Sequence, residues 1–196
     1  MQVTFISETV FDQESFAEFV ASRPDFDINR YELVGGKIVM IPPSNWPYGE
    51  AEVDLCAILR NHVKAAGLGM VGGPTQGYEL PNGHTVAPDA SVVLNERLER
   101  GPPRVRGRFL GVVPNLVAEI VSPTSGARDR VEKPRIYAEA GVDEYWLIDL
   151  ESRCVTVFHL KDGSYDTGDP FVMGQRIRSM VVPGLDCLVD ELIPGD

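Results

Sequence analysis

The sequence predicts an α/β chain, and three observations carry that expectation. The run from Asn115 to Val121 is apolar at both alternate positions except for Glu119, the pattern of a central strand covered on both faces. Two segments, residues 48–66 and 129–140, read as helices, and each is stopped by a glycine, Gly67 and Gly141. Hairpin-like pairs of β-prone runs stand between and around those helices. At 196 residues one domain is expected, long enough to close a core without disulfide or metal staples.

Residues 12–22 open the chain as a short helix, with Asp12 as cap and Phe16, Phe19 and Val20 forming one face. RYELVGGKIVMIPP follows as a hairpin, joined at Gly35-Gly36 and stopped by Pro42-Pro43. On the long helix from Tyr48, a wheel puts Tyr48, Ala51, Leu55, Ile58, Leu59, His62 and Val63 on one broad face. Glu52 falls on that face, whereas Glu50 and Asp54 fall outside it. GYELPNGHTVAPDASVVL reads as a second hairpin turning at Pro81-Asn82-Gly83. Residues 95–112, rich in arginine and proline, are expected to be loop. After the central strand come a turn at 122–126 and a helix from about Asp129, whose Pro134 is tolerated only near its first turn. EYWLIDL and RCVTVFHL are paired strands, and short strands and turns complete the chain.

No run approaches the ~20 apolar residues of a membrane span, and the first residues lack the basic and apolar regions of a secretory signal. Three cysteines, widely spaced among apolar neighbours, fit small core residues of a reducing, cytoplasmic setting. No histidine lies near them, which disfavours zinc. The net charge of −11 argues against a general nucleic-acid binder, although a basic strip can sit on an acidic protein. Basic residues do cluster, at Arg97, Arg100, Arg104, Arg106 and Arg108 and again at Arg128, Arg130, Lys133 and Arg135; solvated surface is the plainer explanation of each cluster. The glycine-rich phosphate motifs are absent, so no nucleotide cofactor is expected. GxSxG is absent too, and His84 and His159 read as structural.

What remains unexplained is acidic. Asp89 follows Pro88 at the mouth of one apolar run, Glu119 interrupts another, and Glu52 sits on an inward helix face. A carboxylate in such a place is costly unless it is paired or holds a metal. Two or three of them at strand ends are what a hard divalent cation needs, because magnesium takes oxygen ligands and keeps several waters. Such an ion polarises a phosphoryl oxygen and acidifies bound water. Lys133, opening the next helix, would add positive charge at the transition state.

Four segments in this order, YELVGGKIVMIPPS, PDASVVL, PNLVAEIVSPTS and RDRVEKPRIYAEAGVDEYWLID, resemble the Uma-two-type family of restriction-endonuclease-like proteins, widespread in bacteria. That family lies in the PD-(D/E)XK nuclease superfamily, and the resemblance covers roughly residues 30–160. It implies a mixed sheet flanked by helices and a phosphodiesterase site dependent on magnesium (or manganese). Carried over by position, Asp89 and Glu119 are the acidic pair, and Glu52 stands for the helix glutamate of many superfamily members. The superfamily lysine would fall at Val121; Lys133, with Arg130 as the fallback, takes its place. Tyr48 stands where the family often has histidine, and Gln76 is a further polar candidate. The expectation is a DNA endonuclease, with Asp89, Glu119, Lys133 and Glu52 catalytic and the three carboxylates as metal ligands. A homodimer would supply the two sites that cutting a duplex takes. The alternative is a catalytically silent descendant that serves in dimerisation or partner binding.

Overall fold

The computed structural model describes residues 7–122 and 128–195. In chain order the elements are α1 (Gln13–Ala21), β1 (Arg30–Val34), β2 (Lys37–Ile41), α2 (Tyr48–Ala65), β3 (Gly69–Gly72), β4 (Tyr78–Glu79), β5 (Thr85–Val86), β6 (Ala90–Leu94) and α3 (Asn95–Arg100). Then follow β7 (Leu116–Val121), a π-helical turn (Arg128–Glu132), α4 (Lys133–Ala140), β8 (Glu144–Asp149), β9 (Cys154–Lys161), β10 (Ser164–Tyr165), β11 (Asp169–Val172), β12 (Arg176–Arg178) and β13 (Asp186–Leu188).

The main sheet runs β10-β9-β8-β7-β6-β3, with β11 also on β9. Only β7 and β8 pair in parallel among its described strands, because α4 carries the chain back between them; the remaining pairs are antiparallel. The sheet is therefore mixed and flanked by helices. β7, at its centre, is buried along its whole length, as its apolar pattern requires. Leu116, Ala118 and Ile120 face α2, where Ala51, Leu55, Leu59 and Val63 cover them. Val117 and Val121 face the other way, against Ile136, Tyr137 and Ala140 of α4. By the period-2 alternation of a strand, Glu119 shares that second face.

A separate four-stranded sheet, β2-β1-β5-β4, is built from the two hairpins. Gly35 and Gly36 both take positive φ, which fits the two-residue turn between β1 and β2. Its buried Val34, Val39, Tyr78, Leu80 and Val86 join the cluster under α4, while Leu33 and Ile38 pack on Phe16 of α1. The second hairpin is shorter than its sequence suggests. It ends at Val86, and Ala87-Pro88-Asp89 hands the chain to β6 of the main sheet.

Two further expectations need correction. Residues 95–100 are helix, not loop: Glu96 and Arg100 pair across one turn at 2.9 Å, and Leu98 packs on the core. Arg97 ties this helix to Asp143 with two contacts of 2.7 Å. The helix expected from about Asp129 opens with the π-helical turn from Arg128, and its α-helical part starts later, at Lys133, as Pro134 in the first turn requires. The turn predicted at 122–126 lies, beyond Ser122, outside the described residues. Cys187 is buried as expected, but Cys56 and Cys154 are only half-buried.

Leu59→Ala empties a fully buried site between α2 and the sheet, and urea unfolding should show a loss of about 2–5 kcal/mol. Val53→Ala, on the exposed side of the same helix, should change stability by no more than about 0.5 kcal/mol.

Candidate active site

The register of β6 on β7 assembles the acidic pair. Ala90 lies opposite Ala118, so one step further the same antiparallel register sets Asp89 opposite Glu119. The backbone N–H of Ile120 donates to Asp89 Oδ2 at 2.8 Å, which fixes that carboxylate at the strand end. Both carboxylates are nearly inaccessible, at 7% and 2% exposure. Like charges across a strand pair repel, so the site needs countercharge.

That countercharge comes from α4 and β1. Lys133 and Tyr137 lie one helical turn apart, on the face that meets β7. Lys133 Nζ donates to Glu119 Oε1 at 2.8 Å, and the Tyr137 hydroxyl donates to the same oxygen at 2.5 Å. These two hydrogen bonds both end on Oε1. From β1, Arg30 reaches Asp89 Oδ1 at 3.4 Å and Glu52 Oε1 at 3.9 Å, and donates to the Pro74 carbonyl at 2.8 Å. Glu32, two residues on and fully buried, approaches Lys133 Nζ at 3.4 Å and accepts from Arg128 at 2.6 Å and from the Ala87 N–H at 3.0 Å. Four carboxylates (Glu32, Glu52, Asp89 and Glu119) thus share three cations (Arg30, Arg128 and Lys133).

The pKa values follow from this geometry. Burial pushes Asp89 up to about 6, although Lys133 and Arg30 oppose it. Burial also raises Glu119, against Lys133, with the charges of Asp89 and Glu32 adding to the rise. Glu32 goes the other way: burial works to raise it, but Lys133 and Arg128 together outweigh that and hold it low. Cys56, which donates to the Asp89 carbonyl at 3.6 Å, is raised to about 11 by burial and by Asp89 and Glu52, so it is no thiolate nucleophile.

The structure brings together Asp89, Glu119 and Lys133 and sets Glu52 at the rim, where Ser44 donates to it at 2.5 Å. Arg130 is turned away to Asp149, at 2.6 Å, and Gln76 donates to the Gly77 carbonyl. Tyr48 packs against the core under α2. Arg30 and Glu32 escaped the sequence reading. Their signal is the alternation in RYELV, which sets both opposite Tyr31 and Leu33, but such alternation reads as a solvent face.

Among the described residues, no group of three or more histidine, cysteine, aspartate or glutamate side chains forms a metal cage. The donor set still fits a hard divalent cation. Two buried, mutually repelling carboxylates lose their repulsion when a cation lies between them, and magnesium completes its shell with water.

The sequence model of the Uma2 family, described as "Putative restriction endonuclease", matches residues 16–190. The chain belongs to this family. Family membership supports a nuclease. A crystal structure from Anabaena variabilis, described as "a putative nuclease belonging to DUF820", superposes with a TM-score of 0.71 at 17% identity, covering 90% of this chain and 96% of that one. At that identity the likeness shows a shared nuclease-type fold. No curated protein matches the chain. No helix among the described residues is long and apolar enough to cross a membrane.

Because the folded pKa of Asp89 lies above its ordinary 3.8, folding takes up protons at this site. Its contribution to stability is most favourable below about pH 4 and is lost as pH rises through about 6. Asp89→Asn should therefore raise neutral-pH stability by on the order of 1–3 kcal/mol, with the gain vanishing near pH 4 in denaturation curves. Lys133→Met should do the opposite. It strands Glu119 and Glu32 without their buried cation and should cost about 3–5 kcal/mol at pH 7.

Proposed function

We propose that this chain is a metal-dependent endonuclease that hydrolyses phosphodiester bonds in DNA at the Asp89–Glu119–Lys133 cluster. The observation that carries the reading is the 2.8 Å contact of Lys133 Nζ with Glu119, whose strand register sets it opposite Asp89. It restores, from a helix, the lysine that β7 lacks at Val121.

A magnesium or manganese ion held by Asp89 and Glu119, with Glu52 at the rim, would polarise a phosphoryl oxygen and acidify a water. The chain's own groups do the rest. Ile120 N–H and Tyr137 each fix one carboxylate, so the ligands are set before substrate arrives. Lys133 offers a positive donor beside Glu119, where negative charge would build on a phosphoryl group under attack. Glu32 and Arg128 hold that lysine from behind. Arg30 neutralises Asp89 and Glu52 before a cation enters, and its guanidinium can then donate to a phosphate oxygen. Cutting both strands calls for two sites, which a homodimer would supply.

Asp89→Asn provides a clean test, since it should fold at least as well as the parent chain. Calorimetry should show magnesium or manganese binding by the parent and none by Asp89→Asn or Glu119→Gln. Cleavage of plasmid DNA should fall by about 100-fold or more in both variants. Undiminished cleavage by both would sink the proposal.

A further inference from the structure

The arginine clusters that looked alike in the sequence separate in the structure. Arg97 is tied to Asp143 and Arg100 to Glu96. Arg128 reaches Glu32, Arg130 reaches Asp149, Lys133 reaches Glu119 and Arg135 reaches Glu139. Arg104, Arg106 and Arg108 differ. All three are exposed, and among the described residues no side-chain ion pair or hydrogen bond engages them. With 29 acidic residues against 18 lysines and arginines, an exposed arginine here should find a carboxylate easily. Three that do not, within five residues, make a local positive charge on an acidic protein.

These arginines are held in a shaped loop. Arg108 N–H donates to the Val105 carbonyl at 3.2 Å, and Gly107 takes the positive φ that such a tight turn requires, leaving Arg106 near its apex. The base of the loop is anchored on the segment that also meets Arg30 of the carboxylate site. The Phe109 ring lies so close over Gly77 that a Cβ there would meet it at 2.4 Å. Leu110 N–H donates to the Gly77 carbonyl at 3.1 Å. Three residues before Gly77, at most about 11 Å of chain away, the Pro74 carbonyl accepts from the arginine that touches Asp89. A duplex carries one charge per ~1.7 Å of axis, so a backbone engaged at Asp89 presents several further phosphates over such a distance.

We propose that the Arg104–Arg108 turn is an arm that grips the phosphate backbone of the DNA cut at the carboxylate site. The inference rests on the nuclease reading, because it takes its substrate from that reading. It adds the contact that would let a chain of net charge −11 hold a polyanion.

The test is fluorescence anisotropy of a labelled DNA duplex between about 50 and 200 mM salt, in chelator so that cleavage does not intervene. It compares the parent chain, the triple variant Arg104→Gln/Arg106→Gln/Arg108→Gln and the corresponding triple lysine variant. Each phosphate contact contributes about 0.9 to the slope of log affinity against log salt. The triple glutamine variant should therefore lose about 2 to 3 from that slope while keeping the parent's melting temperature. The lysine variant should restore most of it. An unchanged slope in the glutamine variant, as an arm meant for an acidic protein would give, overturns the inference. So does a parent chain whose binding shows no salt dependence. The nuclease reading fails separately, through metal binding and cleavage that survive in Asp89→Asn.

Discussion

The contact on which the rest of the site depends is the ion pair of Lys133 with Glu119. It is buried on both sides, and it ties the central strand to the helix that follows it. Without it, Asp89 and Glu119 would face each other across β6 and β7 in a region that water barely reaches. Buried carboxylates in that position either take up protons or require a cation. The chain does both in part. Lys133 stands against Glu119 and Glu32, Arg30 against Asp89 and Glu52, and the carboxyls of Asp89 and Glu119 still sit above their ordinary pKa. The helix, the first hairpin and the central sheet thus converge on one charge cluster, which makes their mutual docking partly electrostatic.

That arrangement leaves the cluster one cation short. A third positive residue closes most of the gap without closing all of it, so the site retains an attraction for an incoming cation. Arg30 suits a provisional role. Its contacts with Asp89 and Glu52, at 3.4 and 3.9 Å, are loose beside the 2.6 Å pair of Arg128 with Glu32. Lys133 and Arg128 hold the Glu32 carboxyl below its ordinary range against the pull of burial. The cluster therefore divides into a tightly paired half (Glu32, Arg128 and Lys133) and a looser half around Arg30, Asp89 and Glu52, and under the proposed reading it is the looser half that would admit a divalent ion beside Asp89.

Much of this was legible in the sequence, and the parts that were not have physical reasons. The central strand announced itself by being apolar on both parities, so Glu119 stood out at once. Asp89 was legible because proline fixed the end of the hairpin and the apolar run began just after it. Lys133 was placed near the site because it opens the helix that leaves the central strand, and the resemblance supported that placement, although nothing local says that a helix-opening lysine folds back onto the preceding strand. Arg30 and Glu32 were missed because a strand with charges on one face looks half-solvated. Here the solvated side is the one buried, capped by α4 and the strand end. The helix Asn95–Arg100 was missed for a related reason: NERLER carries a single apolar residue, and its stability comes from Arg97 reaching Asp143, far along the chain. Glu52 was read as facing inward, yet it lies at the rim with 15% of its side chain exposed.

The position of Glu52 changes how an active site is distinguished from a vestigial one. A rim carboxylate is cheap to keep, so its presence says little. Glu32 says more. It is fully buried, its charge is kept rather than neutralised, and it makes no contact with Asp89 or Glu119; its contacts are with the cations Lys133 and Arg128 and with the Ala87 backbone. Replacing such an ion network by packed apolar groups is often neutral or stabilising, so packing alone gives no reason to retain it. A requirement that a charged lysine stand at a fixed place beside Glu119 does give one. A silent scaffold could exchange the whole network for leucine and valine, whereas the phosphodiesterase proposed above could not.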